Sequence, residues 1–248
     1  MDRRRLSALA HTGRPIAAPL DDATVNALLA RALPTGSGRL LDLGCGEAAW
    51  LSRALAGHPD LLADGVDSDT GTIGRARAAA ERDGLTGRLA LHAVPAADFT
   101  APHRYDLVLS IGASHAFGGL LPTLDAARAH LAPGGQVLVG EGFWERPPGE
   151  NTLRGGFTAD EFASLADTVD AVSASGWTPV HGHVSTPAEW DAYEWHWVGT
   201  LAAWALDHPG DPDSAAAARF ARTHRDTWLH GYRGELGFTT LLLRPTPG

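Results

Sequence analysis

The side chains able to do chemistry gather in a few short stretches. Arg39-Leu40-Leu41-Asp42-Leu43-Gly44-Cys45-Gly46-Glu47-Ala48 reads as a buried strand, a glycine turn and the opening of a helix. Gly44 and Gly46 lack a Cβ, so the main chain there can turn tightly and a ligand can approach it closely. Helix-forming residues from Glu47 to Leu55 set the free N–H groups of a helix start against that turn. Asp67, 21 residues after Gly46, places a carboxylate at the end of a second apolar run. His115 follows a third such run, and its ordinary pKa of ~6.5 suits proton acceptance at neutral pH. Glu141 closes a further strand and can orient a base, bind a cationic nitrogen or cap a turn.

These groups need a scaffold that brings strand ends together. Asp21 or Asp22 can cap a helix over 23–33, and Pro34-Thr35-Gly36-Ser37-Gly38 leads from it into the first strand. A beat then repeats: helix 47–57, strand 62–67, helix 70–83, strand 88–93, strand 105–111, helix 119–131, and strand 136–140 after Pro133-Gly134-Gly135. Strands alternating with helices predict a parallel sheet wound on both faces, which binds ligands beyond its carboxyl ends. After Gly142 the texture changes. Capping boxes at Thr158-Ala159-Asp160-Glu161 and Thr186-Pro187-Ala188-Glu189 predict helices to about 174 and 207. A strand over 177–184, a helix over 211–231 and a last strand over 238–243 complete the chain.

Composition removes several function classes. All the basic residues are arginine, which excludes Schiff-base chemistry on lysine and the lysine of a phosphate loop. Cys45 is the one cysteine, so neither an intrachain disulfide nor a cysteine-rich zinc site is available. A net charge of -9 has the wrong sign for a polyanion binder and favours a small substrate over nucleic acid. The basic start, residues 1–5, is not followed by a signal-peptide core, and no apolar run approaches the ~20 residues that span a bilayer. The expectation is a soluble, cytoplasmic chain.

From the first strand to the fifth the pattern resembles the class I S-adenosylmethionine-dependent methyltransferases. The matching residues are Leu41-Asp42-Leu43-Gly44-Cys45-Gly46, Val66-Asp67, Tyr105-Asp106-Leu107-Val108-Leu109-Ser110 and Leu131-Ala132-Pro133-Gly134-Gly135. Gly112 to Gly119 and Gly140-Glu141-Gly142-Phe143-Trp144 are similar to a bacterial small-molecule branch of that superfamily. The resemblance implies a three-layer Rossmann-like α/β sheet of seven strands, the last antiparallel, with a helical insertion near 186–232 as substrate cover. It implies one domain over 1–248, with an N-terminal arm and helix to 35, a cofactor core over 36–141 and a substrate-side half beyond.

It also implies S-adenosylmethionine as cofactor. Gly44, Cys45 and Gly46 would face its methionine end, with Asp42 orienting the turn or, through water, the amino group. Asp67 would accept both ribose hydroxyls and Ser68 would flank the adenine, with Ile111 at the end of the fourth strand. Ala48 stands where the motif has its third glycine, and Pro95 where an adenine-reading acid is usual. Asp98, or the main chain of Ala96 and Ala97, would take that part. His115 would be the base, beside Glu141, for an acceptor held in line with the methyl; positioning alone can supply roughly 7–11 kcal/mol of such a barrier.

Seven of the eight tryptophans follow Gly142. Trp190, Tyr193, Trp197 and Trp204 share one helix face, which predicts packing on the sheet. Trp144 and Trp195, off that stripe, and Tyr232 are candidates to line a pocket for a small aromatic or heterocyclic acceptor, with Glu189, Asp191 and Glu194 suiting a cation. His224 can point to the same pocket or to solvent. His181-x-His183 has no evident third ligand, so no metal is assigned. The turn also fits Gly-x-Gly-x-x-Ala, which keeps a nicotinamide oxidoreductase open, and a non-catalytic cofactor-binding module is the other alternative. The sequence leaves the oligomeric state open.

Overall fold

A computed structural model describes residues 6, 9–33, 35–101 and 103–247; the basic start at 1–5 and Pro34 lie outside them. The chain folds as two compact units, one of Asp21–Glu141, Ala166–Val184 and Thr239–Gly248, the other of Met1–Leu20, Gly142–Leu165 and Ser185–Phe238.

The first unit is built on the sheet. Strands β1 (Ser37–Leu43), β2 (Asp60–Asp67), β3 (Leu89–Ala93), β4 (Tyr105–Ile111), β5 (Leu131–Trp144), β6 (Trp177–Val184) and β7 (Leu236–Pro245) lie in the order β3-β2-β1-β4-β5-β7-β6. The pairs β1–β2, β1–β4, β2–β3 and β4–β5 are parallel, and β6–β7 is antiparallel, as expected for a last strand slipped between β5 and β6. Leu40, Leu41, Leu43 and Leu107 to Leu109 are buried, which is why these strands read as mainly apolar. Helices α1 (Asp22–Ala32), α2 (Ala49–Gly57), α3 (Thr70–Arg82) and α4 (Leu120–His130) connect them. Asp21 caps α1 by accepting the Thr24 N–H at 2.7 Å, and Asp69 caps α3 by accepting that of Thr72 at 2.7 Å.

Strand β5 is longer than the sequence predicts. The Pro133-Gly134-Gly135 turn, expected to precede it, is absorbed as a bulge: Tyr105 pairs with Leu131, and pairing resumes at Leu107 with Gln136. Gly134 has φ +80°, and a Cβ on Gly135 would stand 2.9 Å from the Tyr105 carbonyl oxygen. Glycine is therefore required by the bulge, and it reads locally as a strand breaker.

The second unit is mainly helical, with α5 (Glu150–Arg154), α7 (Pro187–Asp207) and α8 (Ser214–Thr227); α6 is Leu165–Ala174. The Thr186 capping box forms in full: Glu189 N–H donates to Thr186 Oγ1 at 3.2 Å and Thr186 N–H to Glu189 Oε2 at 2.8 Å. The box expected at Thr158 forms in half, with Thr158 N–H donating to Glu161 Oε2 at 3.1 Å, and the helix begins seven residues later than predicted, at Leu165. The Trp144 N–H takes the Ala163 carbonyl at 2.8 Å and Trp144 bridges to Ser164, so strand pairing claims the backbone a helix needs. The last helix starts at Ser214, not 211, and widens into a π-turn over Trp228–Tyr232.

The tryptophan stripe expected to face the sheet finds partners inside the helical unit. Trp197 packs in a buried cluster with Leu6, Ala10, Leu201, Ala217 and Ala221, and Trp204 borders it. Periodicity located the buried face of α7 but could not identify what covers it.

Candidate functional site

The carboxyl ends of β1, β2 and β4 and the turn after β3 carry the sequence-predicted cofactor residues. Gly44 and Cys45 both donate their N–H to the Val66 carbonyl at 2.9 Å, which ties the turn after β1 to the end of β2. Gly44 sits at φ +92°, and a Cβ there would lie 2.4 Å from that of Ala113, so no other residue fits. Gly46, at φ +53°, opens on space with nothing within 4 Å of a Cβ, and the same holds for Gly112 after β4. These bare edges are the cradle into which a ligand can approach the main chain. Ala48 adopts the left-handed conformation, φ +59°, fully buried. The missing third glycine has thus left its backbone geometry in place, at an order-of-magnitude cost of ~1 kcal/mol.

Asp67, at the end of β2, links that turn to α3. Its Oδ2 accepts the Gly46 N–H at 3.0 Å and its Oδ1 accepts the Asp69 N–H at 2.9 Å. Each carboxylate oxygen retains a further acceptor site, which is what a vicinal diol requires. The sequence separation of 21 residues is thereby closed by a direct hydrogen bond.

Asp42 is buried beneath the turn, and its carboxyl is pushed up to about 7, by burial first and by the charge of Asp67 second. The folded chain therefore holds that proton more tightly than the unfolded one, where the carboxyl titrates near 3.8. The stabilisation is complete below about pH 4, falls as the pH rises towards about 7, and is level above it. Wild type should lose stability relative to Asp42→Asn between pH 5 and pH 8, by on the order of a kcal/mol or more, in urea titrations at each pH. Parallel curves would contradict the assignment. Burial, then the charges of Asp42 and Asp67, also push the Cys45 thiol up, so Cys45 is inert as a nucleophile and offers main chain only. Its sulfur occupies the space a Cβ on Gly65 would need, 2.9 Å away.

The remaining predicted residues divide by exposure. Ser68 is exposed beside Asp67, and Ile111, half-buried, ends β4. Ala96, Ala97 and Asp98 form a single 3₁₀ turn in which Ala96 is buried and the other two are exposed. Ala96 and Ala97 line an open cavity of about 520 Å³ with Phe99, Phe117 and His130. His115 stands exposed on a 3₁₀ turn after β4. Main-chain bonds hold that loop, with Phe117 and Gly119 N–H both donating to the Ser114 carbonyl at 3.0 Å and the Thr123 hydroxyl to Gly119 at 2.8 Å. The His115 ring is not needed to pin it. Glu141 lies half-buried in β5, one residue past the Gly140 carbonyl that accepts the Gly112 N–H at 2.9 Å.

In the helical unit, Trp144 is buried edge-on to Phe157 and Phe162. Trp195 is 54% exposed and meets Trp228 edge-on. Tyr232 is buried, and its hydroxyl donates to Glu194 Oε1 at 2.7 Å. His224 meets the other Glu194 oxygen at 2.7 Å and stacks on Trp197 at 3.9 Å, so it points into this network rather than to solvent. The carboxylates expected to suit a cationic acceptor are thus engaged: Glu189 in its cap, Asp191 with Arg233 at 2.8 Å, and Glu194 with Tyr232 and His224. Sequence spacing offered no signal for that network, because Glu194 and Tyr232 are 38 residues apart on different elements.

Residues 41–137 match the family model of a methyltransferase domain. The uncharacterized Escherichia coli (strain K12) protein YjhP is 28% identical over 184 residues, 73% of either chain. Among solved structures, a SAM-dependent methyltransferase from Geobacter sulfurreducens in complex with S-adenosyl-L-homocysteine superposes with a TM-score of 0.88 at 23% identity, over 97% of this chain and 98% of that one. One from Thiobacillus denitrificans, in complex with the same molecule, gives 0.88 at 24% identity, over 99% and 100%.

Proposed function

We propose that the chain is a class I S-adenosylmethionine-dependent methyltransferase that transfers a methyl group from S-adenosylmethionine to an N, O or C atom of a small aromatic or heterocyclic acceptor. The methyltransferase-domain match over residues 41–137 and the likeness of the fold to two methyltransferases solved with S-adenosyl-L-homocysteine support this reading. The observation that carries the reading is the Asp67 carboxylate, fixed at the strand tip by the N–H groups of Gly46 and Asp69 with acceptor sites to spare for a ribose. The open edge of Gly46 leaves room for the methionine end against the main chain. When bound, the cofactor supplies a methyl already made electrophilic by its sulfonium. His115, exposed and with its ring free of hydrogen bonds among the described residues, takes the acceptor's proton. Glu141 orients the base or the acceptor from the neighbouring strand.

A transfer assay with methyl-labelled S-adenosylmethionine over phenolic and heteroaromatic acceptors tests this reading. Labelled acceptor and S-adenosylhomocysteine in equal amounts are expected. S-adenosylhomocysteine binding with no transfer across the panel would favour a non-catalytic module.

A further inference from the structure

The helical unit holds a cavity of about 260 Å³ that Tyr232 and Asp191 help to line. Calling its ligand the acceptor rests on the methyl-transfer reading; the chemistry of that ligand follows from the walls alone. The volume lies just under the ~300–1,000 Å³ of small-molecule sites and suits one ring with a short side chain. Trp190, Trp228 and Tyr232 supply three aromatic walls. Trp228 and Tyr232 come from the two ends of the π-turn in which Gly231 leaves helical geometry (φ -117°, ψ -106°). Trp190 comes from α7, its ring at 63° to that of Tyr232 with centroids 6.4 Å apart. The Tyr232 hydroxyl donates to Glu194 Oε1 at 2.7 Å, which leaves its ring richer in electron density.

Three charged side chains complete the lining, and their charges do not cancel. Arg233 donates through Nε and Nη2 to the two oxygens of Asp191, each at 2.8 Å. Those bonds hold the Asp191 carboxyl below its usual range, so this pair stays ionised and closed. Glu145 is exposed, and its carboxylate makes no hydrogen bond or ion pair among the described residues. Its main-chain N–H donates to the Glu235 carbonyl at 2.8 Å, which fixes the point from which the side chain reaches the cavity. The wall therefore presents one negative charge with no counter-charge, beside three rings whose faces attract cations.

We infer that the acceptor is a monocationic amine with a flat apolar body, its ammonium group held by Glu145 and by the rings of Trp190, Trp228 and Tyr232. One positive charge answers the one unpaired carboxylate. The N–H groups of an ammonium suit the carboxylate oxygens, and the polarised C–H groups beside the nitrogen suit the rings. A neutral phenol leaves the charge of Glu145 unmatched, and a carboxylic acid meets it as a like charge.

Equilibrium dialysis of the full chain near pH 7, without S-adenosylmethionine so that no methyl can move, compares benzylammonium with benzyl alcohol and benzoate. The probes share one ring and differ chiefly in charge. Benzylammonium should bind about tenfold more tightly than benzyl alcohol, with benzoate the weakest. Because Glu145 is exposed, that preference should shrink as salt rises from about 20 mM to about 500 mM. Glu145→Gln alters an exposed side chain without hydrogen bonds, so it should melt like wild type while the preference falls to about threefold or less. Equal binding of benzylammonium and benzyl alcohol by wild type would overturn the inference, as would an undiminished preference in Glu145→Gln. Loss of S-adenosylhomocysteine binding with the preference intact would strike the methyl-transfer reading and leave a cation site. S-adenosylhomocysteine binding without the preference would strike the cation site alone.

Discussion

Replacing Asp67 with alanine is expected to weaken S-adenosylhomocysteine binding by on the order of a hundredfold or more. Two charge-assisted bonds to the sugar would be lost, at about 1.5–3 kcal/mol each. The same carboxylate also fastens the Gly46 and Asp69 N–H groups, so part of the loss would come from a loosened turn. Pairing the variant with an S-adenosylhomocysteine analogue lacking both ribose hydroxyls separates the two contributions. Wild type should discriminate strongly against the analogue and Asp67→Ala should not, so the difference in the cycle isolates the sugar contact. Calorimetric affinities within threefold of wild type for Asp67→Ala would remove the carboxylate from the binding site.

His115→Ala should cut the methyl-transfer rate by about a hundredfold to ten-thousandfold, the usual range for a general base, while S-adenosylhomocysteine affinity stays near wild type. The second half of that expectation rests on geometry. His115 lies on a loop held by the main chain of Ser114, and no hydrogen bond of its ring is needed to keep the cofactor turn in place. Single-turnover measurements on an acceptor found in the labelled panel would check it. Unchanged turnover would leave proton removal to solvent or to Glu141.

The cofactor half was legible because its signals are local. A strand buried on both faces must be mainly apolar, so Leu40, Leu41, Leu43 and Leu107 to Leu109 mark β1 and β4, and the glycine turn between β1 and α2 is required by a Cβ clash at Gly44. Asp67 was found by its distance along the chain from that turn. The β5 bulge was not found, because Pro133-Gly134-Gly135 reads as a break unless the pairing of Tyr105 with Leu131 is known. Helix α6 starts late for a similar reason: the Trp144–Ala163 bond is tertiary, and a capping box has no knowledge of it. In the helical unit, residue type misled. Tryptophans at helical spacing predict packing on the sheet, and Trp197 is indeed packed, but against Leu6, Ala10, Ala217 and Ala221 of the helical unit.

The central claim, that a sulfonium nucleoside is held at the tips of β1 and β2, is tested most directly by titrating the protein with S-adenosylhomocysteine and with NAD(P)H in the same calorimetric experiment. Saturable binding of S-adenosylhomocysteine at one site per chain, with no heat from either nicotinamide nucleotide, is the predicted result. Tight binding of NADH or NADPH with no response to S-adenosylhomocysteine would contradict it.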